Sequence, residues 1–385
     1  MKRLALIALI AVVTVGCAGD PSVPQPSPLP DLKTRLILGQ EVWSSDTGEG
    51  AGDRVSGLTL AVDGRRVYAG NPDGVVTALE LESGDTAWQR QTDYHLIAGP
   101  TTADGMLFFG TRDGLLVALS AKDGSKLWVA NLDSEVLSAP AAGHGVVVAQ
   151  TLDGRVVGRE MASGAHRWTV EQQVPTLTLR GASSPLIDGE NVYVGLANGK
   201  VLGLSLRTGE QLWMQQVAVP TGRSELERVV DVDAELMAAD DELYAASIGN
   251  RLISISLDSG RVRWSREVGS RTGMAFDVNQ IFVTDLDSRV KSFSRSSGAA
   301  KWSQDALSYR RLTAPVMYRG YVMVADYEGY LHWMIPEGGT LIGRYQAVGD
   351  PVRTAPVVVG DLILVLDTDG TVAAVKGVFP EREDE

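Results

Sequence analysis

A repeat constrains the fold of this chain more than any other feature of its sequence. Seven times a turn residue is followed ten residues later by a glycine, and in six of these units a tryptophan stands four residues further on. The turn residues are Gly74, Gly114, Gly154, Gly199, Asn250, Ser288 and Gly329, and the tryptophans are Trp88, Trp128, Trp168, Trp213, Trp264 and Trp302. Self-similarity at a period of about 40–50 residues indicates a solenoid, a propeller or another array.

Each unit alternates short apolar runs with turns. Asp73-Gly74 and Asn198-Gly199 are typical of tight hairpin turns, because such turns need positive φ. Strands this short, with turns every 8–12 residues, predict an all-β protein. Four strands per unit, repeated along the chain, predict a β-propeller with four-stranded antiparallel blades.

The number of blades follows from how the two ends of the chain complete each other. An eighth turn, Asp369-Gly370, has no tryptophan after it, whereas Gly39 and Trp43 have the right spacing and no hairpin before them. We therefore predict an eight-bladed propeller over residues 34–376, closed by the N-terminal strand. Closure removes exposed sheet edges, which would otherwise invite aggregation.

The seventh unit departs from the pattern in two places. Where other units have a small residue four positions after the turn, this unit has Trp333, and Gly343 stands where tryptophan is expected. The two positions face each other across a hairpin, so exchanging large and small partners conserves volume. We predict that Trp333 is buried, and that the tryptophans pack the blades rather than stack on a ligand.

Both ends of the chain lie outside this repeat. Lys2 and Arg3 precede an apolar run too short to span a bilayer, so residues 1–16 are predicted to be a signal peptide. The run ends at Cys17, the one cysteine of the chain, in a setting that resembles a bacterial lipoprotein cleavage site. Residues 17–33 are then a lipidated, proline-rich tether, which we expect to be extended rather than packed. Residues 377–385 are predicted to be an acidic tail.

Charge and motifs narrow the function. The net charge of −13 argues against nucleic-acid binding, which needs a basic face. No catalytic motif is present, and the four histidines, His95, His144, His166 and His332, lack metal-ligand spacing, so each is expected in a turn or at the surface. We expect no catalytic residue, cofactor or metal ion.

One enzymatic alternative remains open. Ala78-Leu79 to Trp88 and Ala118-Leu119 to Trp128 resemble the repeat of pyrroloquinoline-quinone enzymes. In that family a vicinal cysteine pair lies against the quinone, and this chain has a single cysteine. A quinoprotein dehydrogenase is therefore one alternative, and an envelope sensor or ligand-binding propeller is another.

Function is predicted where the repeat spacing grows. The spacing is 45 residues after Trp168 and 51 after Trp213, against 40 in the two units before Trp168. In repeat proteins such insertions map to loops on one face, often the binding face. The two insertions belong to successive blades and should be neighbours. They offer apolar Leu177 and Leu179 beside charged Arg180, Asp231 and Asp233, a composition that suits protein–protein contact.

At these residues the chain resembles the BamB family, propeller lipoproteins of the machinery that folds β-barrels into the outer membrane of Gram-negative bacteria. The resemblance covers the lipidated Cys17, the tether, eight blades, the Leu-Thr-Leu-Arg-Gly and Asp-Val-Asp segments and Glu328-Gly-Tyr-Leu-His-Trp333.

The resemblance carries several implications for function. It implies a non-enzymatic scaffold anchored by lipid to the periplasmic face of the outer membrane, since Ala18 rather than Asp follows Cys17. In the family, the Leu-x-Leu-Arg and Asp-x-Asp loops are associated with docking the periplasmic POTRA domains of BamA. That implies Leu177, Leu179, Arg180, Asp231 and Asp233 as the BamA-binding residues, with nascent outer-membrane proteins as further partners. Alternatively, Arg180 pairs internally with Asp231 or Asp233 and pins the two loops.

Overall fold

The computed structural model describes residues 24–52, 54, 56–178, 183–221, 223–224 and 226–379. Within them lie eight antiparallel sheets of four strands, which form the blades of a propeller, as predicted. One sheet gains a fifth strand, because a two-residue segment pairs in parallel with its innermost strand. No helix in the described part of the chain has the length and apolarity needed to cross a membrane.

The strands of the first four blades follow one another along the chain. Before them come β1 (Leu38–Asp46) and β2 (Gly57–Leu58). Blade one has β3 (Ala61–Val62), β4 (Arg66–Gly70), β5 (Val75–Glu80) and β6 (Thr86–Gln91). Blade two has β7 (Leu96–Ala103), β8 (Met106–Thr111), β9 (Leu115–Ser120) and β10 (Lys126–Asn131), with β2 beside β7. Blade three has β11 (Ala141–Gly143), β12 (Val146–Gln150), β13 (Arg155–Glu160) and β14 (His166–Glu171). Blade four has β15 (Leu186–Asp188), β16 (Asn191–Gly195), β17 (Lys200–Ser205) and β18 (Gln211–Gln216).

The remaining blades continue this order after a short 3₁₀ helix, η1 (Leu226–Arg228). Blade five has β19 (Met237–Ala239), β20 (Glu242–Ser247), β21 (Arg251–Ser256) and β22 (Val262–Arg266). Blade six has β23 (Met274–Phe276), β24 (Gln280–Thr284), β25 (Val290–Ser294) and β26 (Ala300–Gln304). Blade seven has β27 (Val316–Tyr318), β28 (Tyr321–Ala325), β29 (Tyr330–Met334) and β30 (Leu341–Gln346). Blade eight has β31 (Val357–Val359), β32 (Leu362–Leu366) and β33 (Thr371–Val378), completed by β1.

The two ends of the chain meet in blade eight, and this closes the propeller as predicted. Strand β1 pairs antiparallel with β33, and Trp43 lies opposite Ala374. The last strand runs to Val378, two residues past the predicted propeller boundary. The N-terminal strand therefore belongs to the blade fold itself.

The tryptophans fasten each blade to the next. Seven indole Nε1 groups donate to a backbone carbonyl oxygen of the following blade, over 2.6–3.1 Å. The indoles also lie against a turn glycine of that blade; a Cβ added at Gly260, for example, would come within 2.7 Å of Trp213. Because these turns leave no room for a side chain, glycine recurs there. The core accordingly lies between neighbouring blades, as in the cluster that joins Trp128 to Val147.

Blade seven shows the predicted exchange of large and small residues. Trp333 faces Gly343 across the hairpin and has no exposed surface, so the prediction that it is buried is confirmed. Its Nε1 has no hydrogen-bond partner among the described residues. Trp333 lies on the third strand of its blade, whereas the seven indoles that donate lie on outer strands. Ile37 packs in the same core cluster as Trp333.

One sequence expectation about the histidines is wrong. His332 lies in β29 and is 1% exposed, whereas we had placed it in a turn or at the surface. Its Nε2 is 2.9 Å from a carboxylate oxygen of Asp326, which has no exposed surface either. A buried hydrogen-bonding partner six residues away makes this interior position tolerable for a polar ring.

Candidate partner-docking site

One face of the propeller carries the loops that join successive blades, and we call it the loop face. These loops bond to the turns between the second and third strands of a blade, so both lie on the same face. Examples are Gln172 N to Gly154 O at 3.0 Å and Val217 N to Gly199 O at 2.8 Å. The two expanded insertions are loops of this kind: residues 172–185 form the first docking loop and residues 217–236 form the second.

The predicted site residues differ in their exposure to solvent. Leu177 is on the surface, with 41% of its area exposed. Asp231 has no exposed surface, and Asp233 is half-buried. Leu179 and Arg180 lie outside the described residues, as does Cys17. The prediction of internal pairing through Arg180 therefore stays a prediction.

A groove brings the two docking loops together. It has a volume of about 320 Å³ and is lined on one side by Pro175 and Leu177, and on the other by Val229, Val230 and Asp231. The two insertions are thus neighbours, as their succession along the chain predicts. The lining is mixed, because Thr176 and Arg228 stand beside these apolar residues.

A second groove of about 370 Å³ lies on the other side of Val229 and Val230. Arg271 and Leu286 line its far wall. Val229 and Val230 are largely buried and line both grooves, and we call this shared wall the ridge. Two grooves flanking one ridge give this face a shape that a complementary protein surface could fill.

The ridge is held rigidly by hydrogen bonds to blade five. Ser247 Oγ donates to Val230 O over 2.6 Å, and Ile248 N donates to Asp231 O over 3.1 Å. The docking loops are also joined to each other, because Ser184 donates from both its N and its Oγ to the Glu235 carboxylate, each over 3.0 Å. A preformed surface of this kind loses little entropy on binding.

The carboxylates of the second docking loop are in an unfavourable setting for charge. Burial and, to a smaller extent, the neighbouring Asp231 raise the pKa of Asp233 to about 7, and Arg271 opposes the shift. A desolvated carboxylate beside a second carboxylate favours the approach of a cation. The site therefore combines the apolar residues Val229 and Val230 with a desolvated carboxylate at Asp233.

Sequence reasoning missed several residues of this surface. Val219 and Leu286 are 64% and 44% exposed, respectively. Leu286 sits in the turn Asp285-Leu286-Asp287 of blade six, outside both insertions, so spacing alone gave no signal for it.

A capping box also escaped notice, although its Ser-x-x-Glu pattern was readable in the sequence. Glu227 N donates to Ser224 Oγ and Ser224 N donates to Glu227 Oε2, each over 3.2 Å, which sets the start of η1.

The described residues do not assemble an obvious metal site. No group of three His, Cys, Asp or Glu side chains in the described ranges is placed to hold a metal ion.

Comparison with known proteins identifies the family. A family model described as outer membrane protein assembly factor BamB matches residues 38–95, 72–304 and 286–378. The chain belongs to the BamB family. A curated BamB from Alkalilimnicola ehrlichii is 46% identical over 376 residues, which cover 97% of each chain.

Solved structures agree with this assignment. The crystal structure of BamB from Moraxella catarrhalis is similar with a TM-score of 0.80 and 27% identity, covering 88% of this chain and 99% of that one. The quinohemoprotein alcohol dehydrogenase of Comamonas testosteroni also matches, with a TM-score of 0.70, over 90% of this chain and 78% of that one. At 14% identity the latter shows a shared propeller fold and nothing about function.

Proposed function

We propose that this protein is a non-enzymatic scaffold in the assembly of outer-membrane proteins, anchored at the periplasmic face of the outer membrane. It docks on the periplasmic POTRA domains of BamA and through them joins the rest of the assembly complex. The BamB family membership supports the role, and the groove beside Leu177 is the observation that carries the docking assignment.

The geometry divides the predicted residues by role. Leu177 is exposed and contacts the partner directly, as an apolar anchor at the edge of the groove. Asp231 is buried and shapes the groove wall. Asp233 presents a partly desolvated carboxylate that favours a cationic group on the partner. Leu179 and Arg180 complete the surface on the strength of the family resemblance.

The docking assignment is tested by pull-down from solubilised outer membranes. Leu177→Asp should reduce BamA recovery by about tenfold or more, because it places a charge in an apolar contact. Leu212→Asp is the matched control: Leu212 is 48% exposed, on the outer strand β18 of blade four and away from the loop face. Arg180→Glu should abolish recovery while the fold survives. Equal recovery with Leu177→Asp and the parent chain would refute the docking assignment.

The anchor is a separate part of the proposal. Cys17→Ser should release the protein from the membrane fraction, because no acyl chain can then be attached, and the mass of the parent protein should exceed that of its polypeptide by its acyl chains. A parent protein with an unmodified Cys17 would remove the anchor and leave the docking proposal standing.

A further inference from the structure

The described part of the proline-rich segment is fastened to the propeller. Residues 24–32, which we call the strap, run along blade seven. Ser27 N donates to Ser308 O over 2.9 Å, and Arg344 Nη1 donates to Pro30 O over 3.0 Å. Further along, Leu36 N donates to Ile342 O over 2.8 Å, which leads the chain into the closing strand. The sequence predicted an extended tether without packing; the strap is extended but bound.

The key contact is made by an arginine inside the protein. Arg310 is 2% exposed and donates from Nη1 to Ser27 O over 3.0 Å. Its Nε and Nη2 bind Asp326 at 2.8 and 2.7 Å, and Nη2 also binds Glu328. The carboxylates thus orient the guanidinium so that one N–H is left to meet the strap backbone.

The loop that presents Arg310 is built in an uncommon conformation. Tyr309 and Arg311, on either side of it, have φ of 61° and 51°. Bulky residues rarely adopt positive φ, so such positions persist where surrounding contacts hold them. Here those contacts include Tyr309 N to Asp287 O and Tyr327 N to Arg310 O.

An apolar contact completes the site. Leu32 packs against the core cluster shared by blades six and seven, which includes Leu307, Leu312 and Leu341. The strap therefore has the features of a bound peptide: two backbone hydrogen bonds at one end, one in the middle and an apolar anchor at the other end.

The position of the strap fixes where the N-terminus leaves the propeller. Ser308 and Arg310 belong to the loop 305–315 between blades six and seven, and Asp326 and Glu328 belong to the turn after β28. Both elements lie on the loop face, which also carries the docking grooves. Ser27 therefore lies on the loop face and not on the opposite one.

We propose that the loop 305–315 and blade seven form a retention site for the chain's own strap, and that retention turns the loop face toward the anchored end. The second clause rests on the proposed lipid at Cys17. A fully extended chain spans at most about 35 Å from Cys17 to Ser27, against about 70 Å from Cys17 to Leu36 if the strap is released. Retention thus halves the reach of the anchor.

The test measures distances in the mature protein by pulsed electron paramagnetic resonance. Nitroxides are attached through a genetically encoded ketone side chain, so that Cys17 stays untouched. One label is at position 24 and the other at position 350 on the loop face or at 337 on the opposite face; all three residues are exposed. We expect a narrow distribution for 24/350, with a shorter mean distance than for 24/337.

Variants then remove contacts of the strap. Ser27→Pro lacks the N–H that bonds Ser308, whereas Ser27→Ala keeps it and is the matched control. Ser27→Pro combined with Arg344→Leu should widen the 24/350 distribution at least twofold, while Ser27→Ala leaves it narrow. If the double variant fails to fold, Ser27→Pro alone, which alters no propeller residue, should still widen it.

The proposal is overturned by a broad 24/350 distribution in the parent chain, or by a narrow one that Ser27→Pro leaves unchanged. Neither result depends on a membrane or on BamA. Failure of the retention site would therefore leave the docking proposal intact, and loss of docking would leave these distances unchanged.

Discussion

The second docking loop and the loop 305–315 occupy equivalent places in the repeat, yet the carboxylates buried at each have different surroundings. Each follows an outer strand and leads into the inner strand of the next blade on the loop face. In the loop 305–315, Arg310 meets the buried Asp326 and the chain's own strap. In the second docking loop, Asp231 raises the pKa of the desolvated Asp233, and the groove lined by Asp231 is open.

The pKa values of Asp326 and Asp233 are shifted in opposite directions. Burial alone would raise the pKa of Asp326, but hydrogen bonds from His332 and Arg310 outweigh it and hold the pKa below its usual value. Asp326 therefore stabilises the fold above the pKa of an unfolded Asp, and this contribution is lost as the pH falls. Asp233 has its pKa raised to about 7, so its contribution is present below about pH 4 and is lost as the pH rises towards 7.

In the loop 305–315, the buried charges of Arg310 and Asp326 pair within the chain, and Arg310 also binds the strap. In the second docking loop, the Asp233 carboxylate is desolvated close to two open grooves, which supports the proposed docking site. The four predictions below test this distinction, from the largest expected effect to the smallest.

The largest effect is expected at Arg310. Arg310→Met should lower the free energy of unfolding by about 3–5 kcal/mol, because it leaves Asp326 buried without its cation. Chemical denaturation monitored by circular dichroism measures this. Arg319→Met is the control: Arg319 pairs with Asp361 at the surface, and its removal should not shift the transition measurably. A small change at Arg310 would mean that its ion pair with Asp326 contributes little to stability.

The next largest effect on stability is expected at Trp213, compared with Trp333. Trp213 donates to Leu257 O over 2.8 Å and joins blades four and five under the docking loops, whereas Trp333 has no such bond. Trp213→Ala should cost about 3–5 kcal/mol. Replacement by Phe keeps most of the volume, so Trp213→Phe should cost about 1 kcal/mol more than Trp333→Phe, the worth of one hydrogen bond. Equal costs in denaturant titrations would contradict this account of the indole bonds.

The fold was predictable because its signals are local and repeated. Asn250 and Ser288 replace glycine at the turn yet keep positive φ, at 59° and 62°, so the turn position rather than the residue type defines the unit. The pairing of Trp43 with Ala374 followed from spacing alone, and the structure shows it. Register carries this information because a strand alternates strictly between its two faces.

The sites were less predictable because their partners are distant in the sequence. Arg310 sits between Tyr309 and Arg311 in a run that reads as solvated, and its bond to Ser27 spans 283 residues. The Asp-Val-Asp segment reads the same whether its carboxylates are exposed or buried, so the full burial of Asp231 was not foreseen. The strap was missed because its prolines predict an extended chain, and extension does not exclude binding.

The third prediction is a substitution that raises the free energy of unfolding, whereas the first lowers it. Asp233→Asn should raise the free energy of unfolding at pH 8 by about 1–2 kcal/mol, because it removes a charge that the fold holds at a cost and that solvent screens in part. Near pH 4, where the parent carboxyl is protonated in the folded protein, the two chains should be equally stable. Thermal unfolding at both pH values measures this. The same difference in unfolding free energy at pH 4 and pH 8 would show that the Asp233 charge is not held at a cost, which would contradict its raised pKa.

The smallest effect separates two apolar residues with the same chemistry. Leu32→Ser removes the anchor of the strap and should cost about 1 kcal/mol, whereas Leu177→Ser, at an exposed position, should change stability by less than about 0.5 kcal/mol. The loss at Leu32 has a ceiling, because once the strap detaches no further contact is lost, so its cost cannot exceed the free energy of strap docking. A double variant of Leu32→Ser with Ser27→Pro should therefore cost less than the sum of the two single changes. Strict additivity in denaturant titrations would mean that the strap does not detach by itself and unfolds only together with the propeller.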